Sequence, residues 1–104
     1  MSTIVDNHYQ LGGSVIKPPR LTSSPAGIQH LSFVLEHRSE QLEAGFSRRS
    51  FVRIAVVMSG DSAVQWANNL KVGDVVQASG FLNRIEDKNG IGKLVLHAQQ
   101  LVKI

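Results

Sequence analysis

Cysteine is absent from this chain of 104 residues. That excludes a disulfide framework and any thiolate metal site, and it fits a reducing compartment. Aromatic residues are few: four Phe, one Tyr and one Trp. Long apolar runs are missing as well. No stretch is long enough to cross a bilayer, and the N-terminus, Met1-Ser2-Thr3-Ile4-Val5-Asp6, lacks the basic start and apolar run of a secretory signal. The expected setting is the cytoplasm, with no membrane partner. Neither sign of charge dominates. Eleven Lys and Arg against eight acids leave a formal charge of +3, which permits an anionic partner without demanding one. Catalytic patterns are lacking too. No carboxylate pair or nucleophile motif is spaced for catalysis, and Gly12-Gly13 is not followed by a helix, so it is no phosphate loop. The four histidines, His8, His30, His37 and His97, have no helical i, i+4 partner, and without Cys a zinc site is not expected. The reading is of a protein that is not an enzyme and takes no metal, cofactor or small-molecule substrate.

What is present is enough apolar residue, 42%, to build the core of one domain. Short alternating runs dominate. Tyr9 to Ile16 reads as a strand broken by Gly12-Gly13, which suggests a bulge or barrel corner. Lys17-Pro18-Pro19-Arg20 ends it, and Ser23 to Gly27 reads as a loop. Gln29 to Arg38 is the second strand, with Leu31, Phe33 and Leu35 on one face. The polar stretch Ser39 to Ser47 reads as a long loop. Phe51 to Met58 is the third strand, with Val52, Ile54, Val56 and Met58 inward. The period then changes: Ala63, Trp66, Ala67 and Leu70 share one helical face, with Asp61 as expected N-cap. Val75 to Leu82 and Lys93 to about Val102 are further strands, joined by a hairpin at Asp87-Lys88-Asn89-Gly90. Three strands, one short helix and two strands predict an all-β, five-stranded oligonucleotide/oligosaccharide-binding (OB) barrel over 9–104. A loose segment is expected over 1–8, and another after Val102.

Candidate binding residues gather near the loops. Arg48-Arg49-Ser50-Phe51-Val52-Arg53 sets three guanidinium groups and a ring where loop meets strand. Phe51 is out of phase with the inward set, and Phe46 sits in the polar stretch. A ring and cations on one exposed face suit single-stranded nucleic acid, with stacking on bases and cations against phosphates. A basic strand edge that resists aggregation is the other reading. Arg38 adds to the cluster, Lys17 and Arg20 flank the first loop, and Arg84, Lys88 and Lys93 bracket the last hairpin. In a closed barrel these loops can converge on one face. Glu40, Glu43, Glu86 and Asp87 dilute the charge. Trp66, Phe33 and Phe81 read as structural.

Phe33-Val34-Leu35-Glu36-His37-Arg38-Ser39, followed by Glu43-Ala44-Gly45-Phe46, resembles the bacterial primosomal replication protein N (PriB) family. Ser59-Gly60, Val72-Gly73, Gly80-Phe81, Lys88-Asn89-Gly90, Lys93 and Val95-Leu96-His97-Ala98 continue the likeness in order, from about Gln10 to Leu101. More distantly the chain looks like bacterial single-stranded DNA-binding protein. The resemblance implies a homodimeric OB protein that binds single-stranded DNA in replication restart. It implies support of the restart helicase PriA and recruitment of primosomal protein DnaT for loading the replicative helicase. It also implies that Arg38, Phe46, Arg48 and Phe51 line the DNA surface, with Lys17, Lys88 and Lys93 near it. Two positions depart from the family's best-known form: Phe51 stands where that form has Trp, and Glu86 where it has Lys. An OB interaction module with weak nucleic-acid affinity is the alternative. A sugar-binding barrel or enzyme is opposed by the arginines.

Overall fold

Alternation of large apolar residues builds the wall of a closed barrel. The computed structural model describes residues 5–104. Its strands are β1 (Tyr9–Val15), β2 (Arg20–Ser23), β3 (Gln29–Glu43), β4 (Phe46–Ser59), β5 (Val75–Glu86) and β6 (Gly92–Lys103), with one helix, α1 (Asp61–Ala67), between β4 and β5. The sheet runs β1-β5-β6-β4-β3-β2, and a further β1–β3 pairing closes it. Five strands therefore make the OB barrel, as the pattern predicts. The sixth, β2, lies on the edge of β3 beyond β1.

The glycine pair marks the closing corner. Gly12 and Gly13 pair with Gln77 and Val76 of β5, and the next residues, Ser14 and Val15, also pair with Glu36 and Leu35 of β3. At Gly13 any Cβ would collide with the carbonyl of Glu36, so only glycine lets the two backbones approach this closely. β1 shows no register shift here; the shift lies between Ser79 and Gly80 on β5.

The inward residues form one core. Leu31, Phe33 and Leu35 of β3 meet Ile54, Val56 and Met58 of β4, with Val76, Ala78, Leu96, Ala98 and Leu101 opposite. Ala63 and Leu70 of the helical face are buried, and Trp66 and Ala67 pack against the same core. Trp66 is thus a structural residue, as expected. The helix starts differently from the expectation: Gly60 is the N-cap at φ 89°, with no side-chain cap, and Asp61 is the first helical residue. Asp74 closes the exit. Its carboxylate accepts from Lys71 N at 2.9 Å while its own N–H donates to Lys71 O at 3.0 Å.

The described residues toward each end make defined hydrogen bonds. Asn7, within the segment 1–8 expected to be loose, pairs with the backbone of Leu82 through both side-chain atoms, at 2.8 and 2.9 Å. The part of that segment before residue 5 lies outside the described residues. At the other end β6 continues past Val102, and Ile104 N donates to Val75 O at 2.9 Å.

The largest difference lies between 39 and 47. That stretch is no long loop. β3 and β4 pair without a break from His30 opposite Ser59 to Glu43 opposite Phe46, leaving only Ala44 and Gly45 as the turn. Both have positive φ, 51° and 79°, which is the pattern of a type I′ hairpin. The second hairpin also runs further than expected, to Glu86 opposite Gly92. Its tip depends on Asp87, which accepts from Asn89 N and Ile91 N at 2.8 and 3.0 Å. Of the Asn-Gly pair only Gly90 has a positive φ.

Candidate nucleic-acid interface

The long β3–β4 ladder decides which candidate residues share a surface. Successive side chains on a strand point to opposite faces. Glu36, Arg38 and Glu40 on β3 stand opposite Arg53, Phe51 and Arg49 on β4, and these six share the outer face of the β3–β4 ladder. Gln41 and Glu43 stand opposite Arg48 and Phe46 on the other face. Inside the barrel that other face is core. Beyond it, the same face is exposed, and Phe46 has 71% of its surface open. The stretch 48–53 is therefore divided. Arg49, Phe51 and Arg53 lie together, while Arg48 and Phe46 lie behind them. The parity was readable in the sequence, but only once residues 39–47 are known to be strand.

Phe51 is the centre of the outer face. It is 53% exposed. Arg38 lies over its ring, 4.7 Å from guanidinium carbon to centroid, and Arg53 lies at 5.8 Å. Both are within reach of the ring quadrupole. Glu36 holds the two arginines, accepting from Arg38 Nε at 3.1 Å and from Arg53 Nη2 at 2.7 Å. The Arg53 and Arg38 hydrogen bonds draw the Glu36 carboxyl below the ordinary glutamate range, against partial desolvation. It stays ionised at neutral pH. A surface pocket of about 410 Å³ opens beside the ring, lined by Arg38, Ser39, Glu40, Arg49, Ser50 and Phe51.

The other cations differ in how free they are. Arg48 pairs with Glu43 at 3.4 Å, and Arg84 pairs with Glu86 at 3.4 Å while lying across Gly92. Among the described residues, Lys17, Arg49, Lys88 and Lys93 have no ion pair within 4.0 Å. The parallel pairing of β4 with β6, Ala55 opposite Val95 to Val57 opposite His97, points both hairpins out of the same end of the barrel. Arg84, Lys88 and Lys93 thus belong to the same end as Arg49. Lys17 does not join them. Its neighbour Ile16 donates to Val34 O in the middle of β3, far along the strand from the Glu43 end.

His37 adds a link that sequence reasoning did not identify. Its Nδ1 lies 2.6 Å from the Gly12 carbonyl and its Nε2 2.7 Å from Ser39 Oγ. A carbonyl only accepts, so the proton sits on Nδ1, and in the neutral ring Nε2 accepts from the serine. This ties β1 to the point where the hairpin leaves the barrel. Among the described residues no group of three or more His, Asp or Glu could hold a metal ion. No described helix is long and apolar enough to cross a membrane.

Residues 7–100 match a family described as another single-strand binding protein family. Replication restart protein PriB of Yersinia pestis bv. Antiqua (strain Nepal516) is 43% identical over 98 residues, covering 94% of this chain and 92% of the relative. The chain belongs to the PriB family. PriB of Serratia proteamaculans (strain 568) is 43% identical over 95 residues, covering 91% of this chain and 90% of the relative. Among solved structures, PriB from Ralstonia solanacearum superposes with a TM-score of 0.77 at 22% identity, over 96% of this chain and 100% of that one. Single-stranded DNA-binding protein from Thermus aquaticus gives 0.80 at 20% identity, over 94% of this chain and 50% of that one. These structural likenesses establish the shared barrel. The family membership rests on the sequence relatives.

Proposed function

We propose that the protein binds single-stranded DNA on the outer face of the β3–β4 hairpin and serves as an accessory protein of replication restart. The observation that carries this is the exposed Phe51 ring, flanked by the Arg38 and Arg53 guanidinium groups beside an open pocket. A base stacks on a ring or a guanidinium plane whatever its sequence, and the surrounding cations offset backbone charge. Arg49 meets the backbone without first leaving a carboxylate. Lys88, Lys93 and Arg84 of the second hairpin flank the path. Phe46 and Arg48 serve a strand that wraps over the turn to the rear face, and Lys17 serves one that continues around the barrel.

The protein holds the restart helicase PriA on DNA and recruits DnaT, as a scaffold and not as a catalyst. It works as a cytoplasmic homodimer. The free edge of β1 supports this. Tyr9 to Ser14 pair with β5, whereas β3 takes only Ser14 and Val15 on the other side. An unpaired edge of that length invites a second copy by an isologous contact. A titration of labelled oligo-dT at two salt concentrations tests the DNA reading. Binding that weakens as salt rises supports it, and absence of binding at low salt refutes it.

One observation favours a second reading. Arg38, Arg53, Arg48 and Arg84 are already paired with Glu36, Glu43 and Glu86. Exposed Leu42, Phe46, Ile91 and Leu94 stand near the hairpin tips. That combination suits a protein-docking module with weak DNA affinity. Helicase capture without DNA, together with millimolar affinity for oligo-dT, would select it.

A further inference from the structure

A stacked ring pair lies on the outer face, away from the hairpin tips. Phe81 of β5 stands opposite His97 of β6, and Val57 of β4 flanks His97 on its other side. The Phe81 and His97 rings stack with centroids 4.9 Å apart and planes 1° from parallel. Phe81, read from the sequence as structural, is 37% exposed. The pair borders a pocket of about 400 Å³ whose wall also includes Val57, Ser59, Ser62 and Gln99.

The pocket has a specific chemistry. His97 Nε2 is sealed from solvent, and among the described residues it has no hydrogen-bond partner. Ser59, on the same wall, is hydrogen-bonded to His30 Nδ1 at 2.7 Å and not to His97 Nε2. A buried nitrogen left unpaired forfeits a hydrogen bond that native proteins almost always make. No Lys, Arg, Asp or Glu lines the pocket. A phosphate or a bare cation would therefore find no counter-charge. An aliphatic side chain would leave the polar groups of Ser62 and Gln99 without partners. A flat heterocycle with polar edges suits the ring pair and the uncharged wall together. It packs beside the ring pair, and its edge can reach Ser62 and Gln99, which offer donors and acceptors without charge.

We propose that this pocket is a second base-binding subsite for single-stranded nucleic acid. The proposal rests on the single-strand binding reading above and extends it beyond the hairpin. Phe51 and Val57 are on the same strand, six residues apart, about 20 Å at ~3.3 Å per residue. A strand that occupies both subsites runs along the outer face of β4, past Arg53 and Ala55.

The test uses the full chain with oligo-dT of increasing length, and it follows the ring nitrogens of the histidines by NMR. Phe81→Ala and Phe51→Ala are compared with the wild type by anisotropy. Long oligonucleotides are expected to move the His97 ring resonances, and Phe81→Ala should weaken their binding about five-fold or more. Wild-type binding of long oligo-dT with unmoved His97 resonances, and with Phe81→Ala at full affinity, refutes the subsite and leaves the hairpin reading intact. Failure of the wild type to bind any oligonucleotide at low salt overturns both. The NMR readout needs no substitution, so a poorly folded variant cannot hide the answer.

Discussion

Phe51→Ala separates stacking from electrostatics on this surface. The ring is uncharged, about half exposed, and absent from the buried core. One base stacked on an aromatic ring contributes about 1–3 kcal/mol. Part of that gain is already committed, because Arg38 lies 4.7 Å above the ring and an exposed cation–π contact is worth about 0.5–1 kcal/mol. The net loss on removing the ring should fall near 1–2 kcal/mol, or about 5- to 30-fold in Kd. The fold should tolerate the change, since the half-buried ring contributes only about 1 kcal/mol of burial. Anisotropy of labelled oligo-dT at low and high salt reads both quantities. The loss should be the same factor at each salt, with the salt slope unchanged, because no counterion release is involved. Full affinity in the variant would refute the stacking assignment. So would a loss that disappears at high salt, since that would mean the ring acts only by holding its two arginines.

Other positions give sharper electrostatic and conformational tests. Arg49→Ala should lower the salt slope by about 0.7, whereas Arg48→Ala, already paired with Glu43 and on the rear face, should lower it less; slopes measured in parallel distinguish the two. Ala44 has φ 51°, a conformation that costs an L-residue about 1–2 kcal/mol, so Ala44→Asn should raise the thermal midpoint without altering DNA affinity. Asp74 is held below its ordinary value of 3.8 by the Lys71 N–H and then by Lys103, against partial desolvation. Its stabilising effect is therefore present above the unfolded-state value and is lost as pH falls through the lower folded value. Asp74→Asn should flatten the acid limb of the stability–pH curve below about pH 4, measured by urea unfolding.

Much of the barrel was legible because one face of each core strand is buried. The alternation of Leu31, Phe33 and Leu35 and of Ile54, Val56 and Met58 follows directly from that burial. The hairpin beyond the barrel was not legible. From Ser39 onward both faces meet solvent, so no apolar period survives, and only backbone pairing maintains the strand. Its turn was hidden as well, since Ala-Gly lacks the asparagine or aspartate that usually announces positive φ. β2 is short and exposed along its length, and therefore equally silent. For the site, residue types were readable and faces were not. Arg48, Arg49, Phe51 and Arg53 look like one cluster in a line of text, and the ladder divides them. The Phe81–His97 stack joins residues on different strands, and no local pattern records it.

The unbroken pairing of β3 with β4 also constrains how this region can change over evolutionary time. Barrel and hairpin share one continuous two-residue rhythm, so the core sets the facing of every side chain out to the turn. Deleting Ser50 would leave Ile54, Val56 and Met58 seated in the core, yet it would send Arg49 to the rear and bring Arg48 forward. The molecule would still fold while its charged surface was rewired. Between the turn and the barrel, substitutions adjust this surface gradually, but single-residue insertions and deletions exchange its two faces in one step.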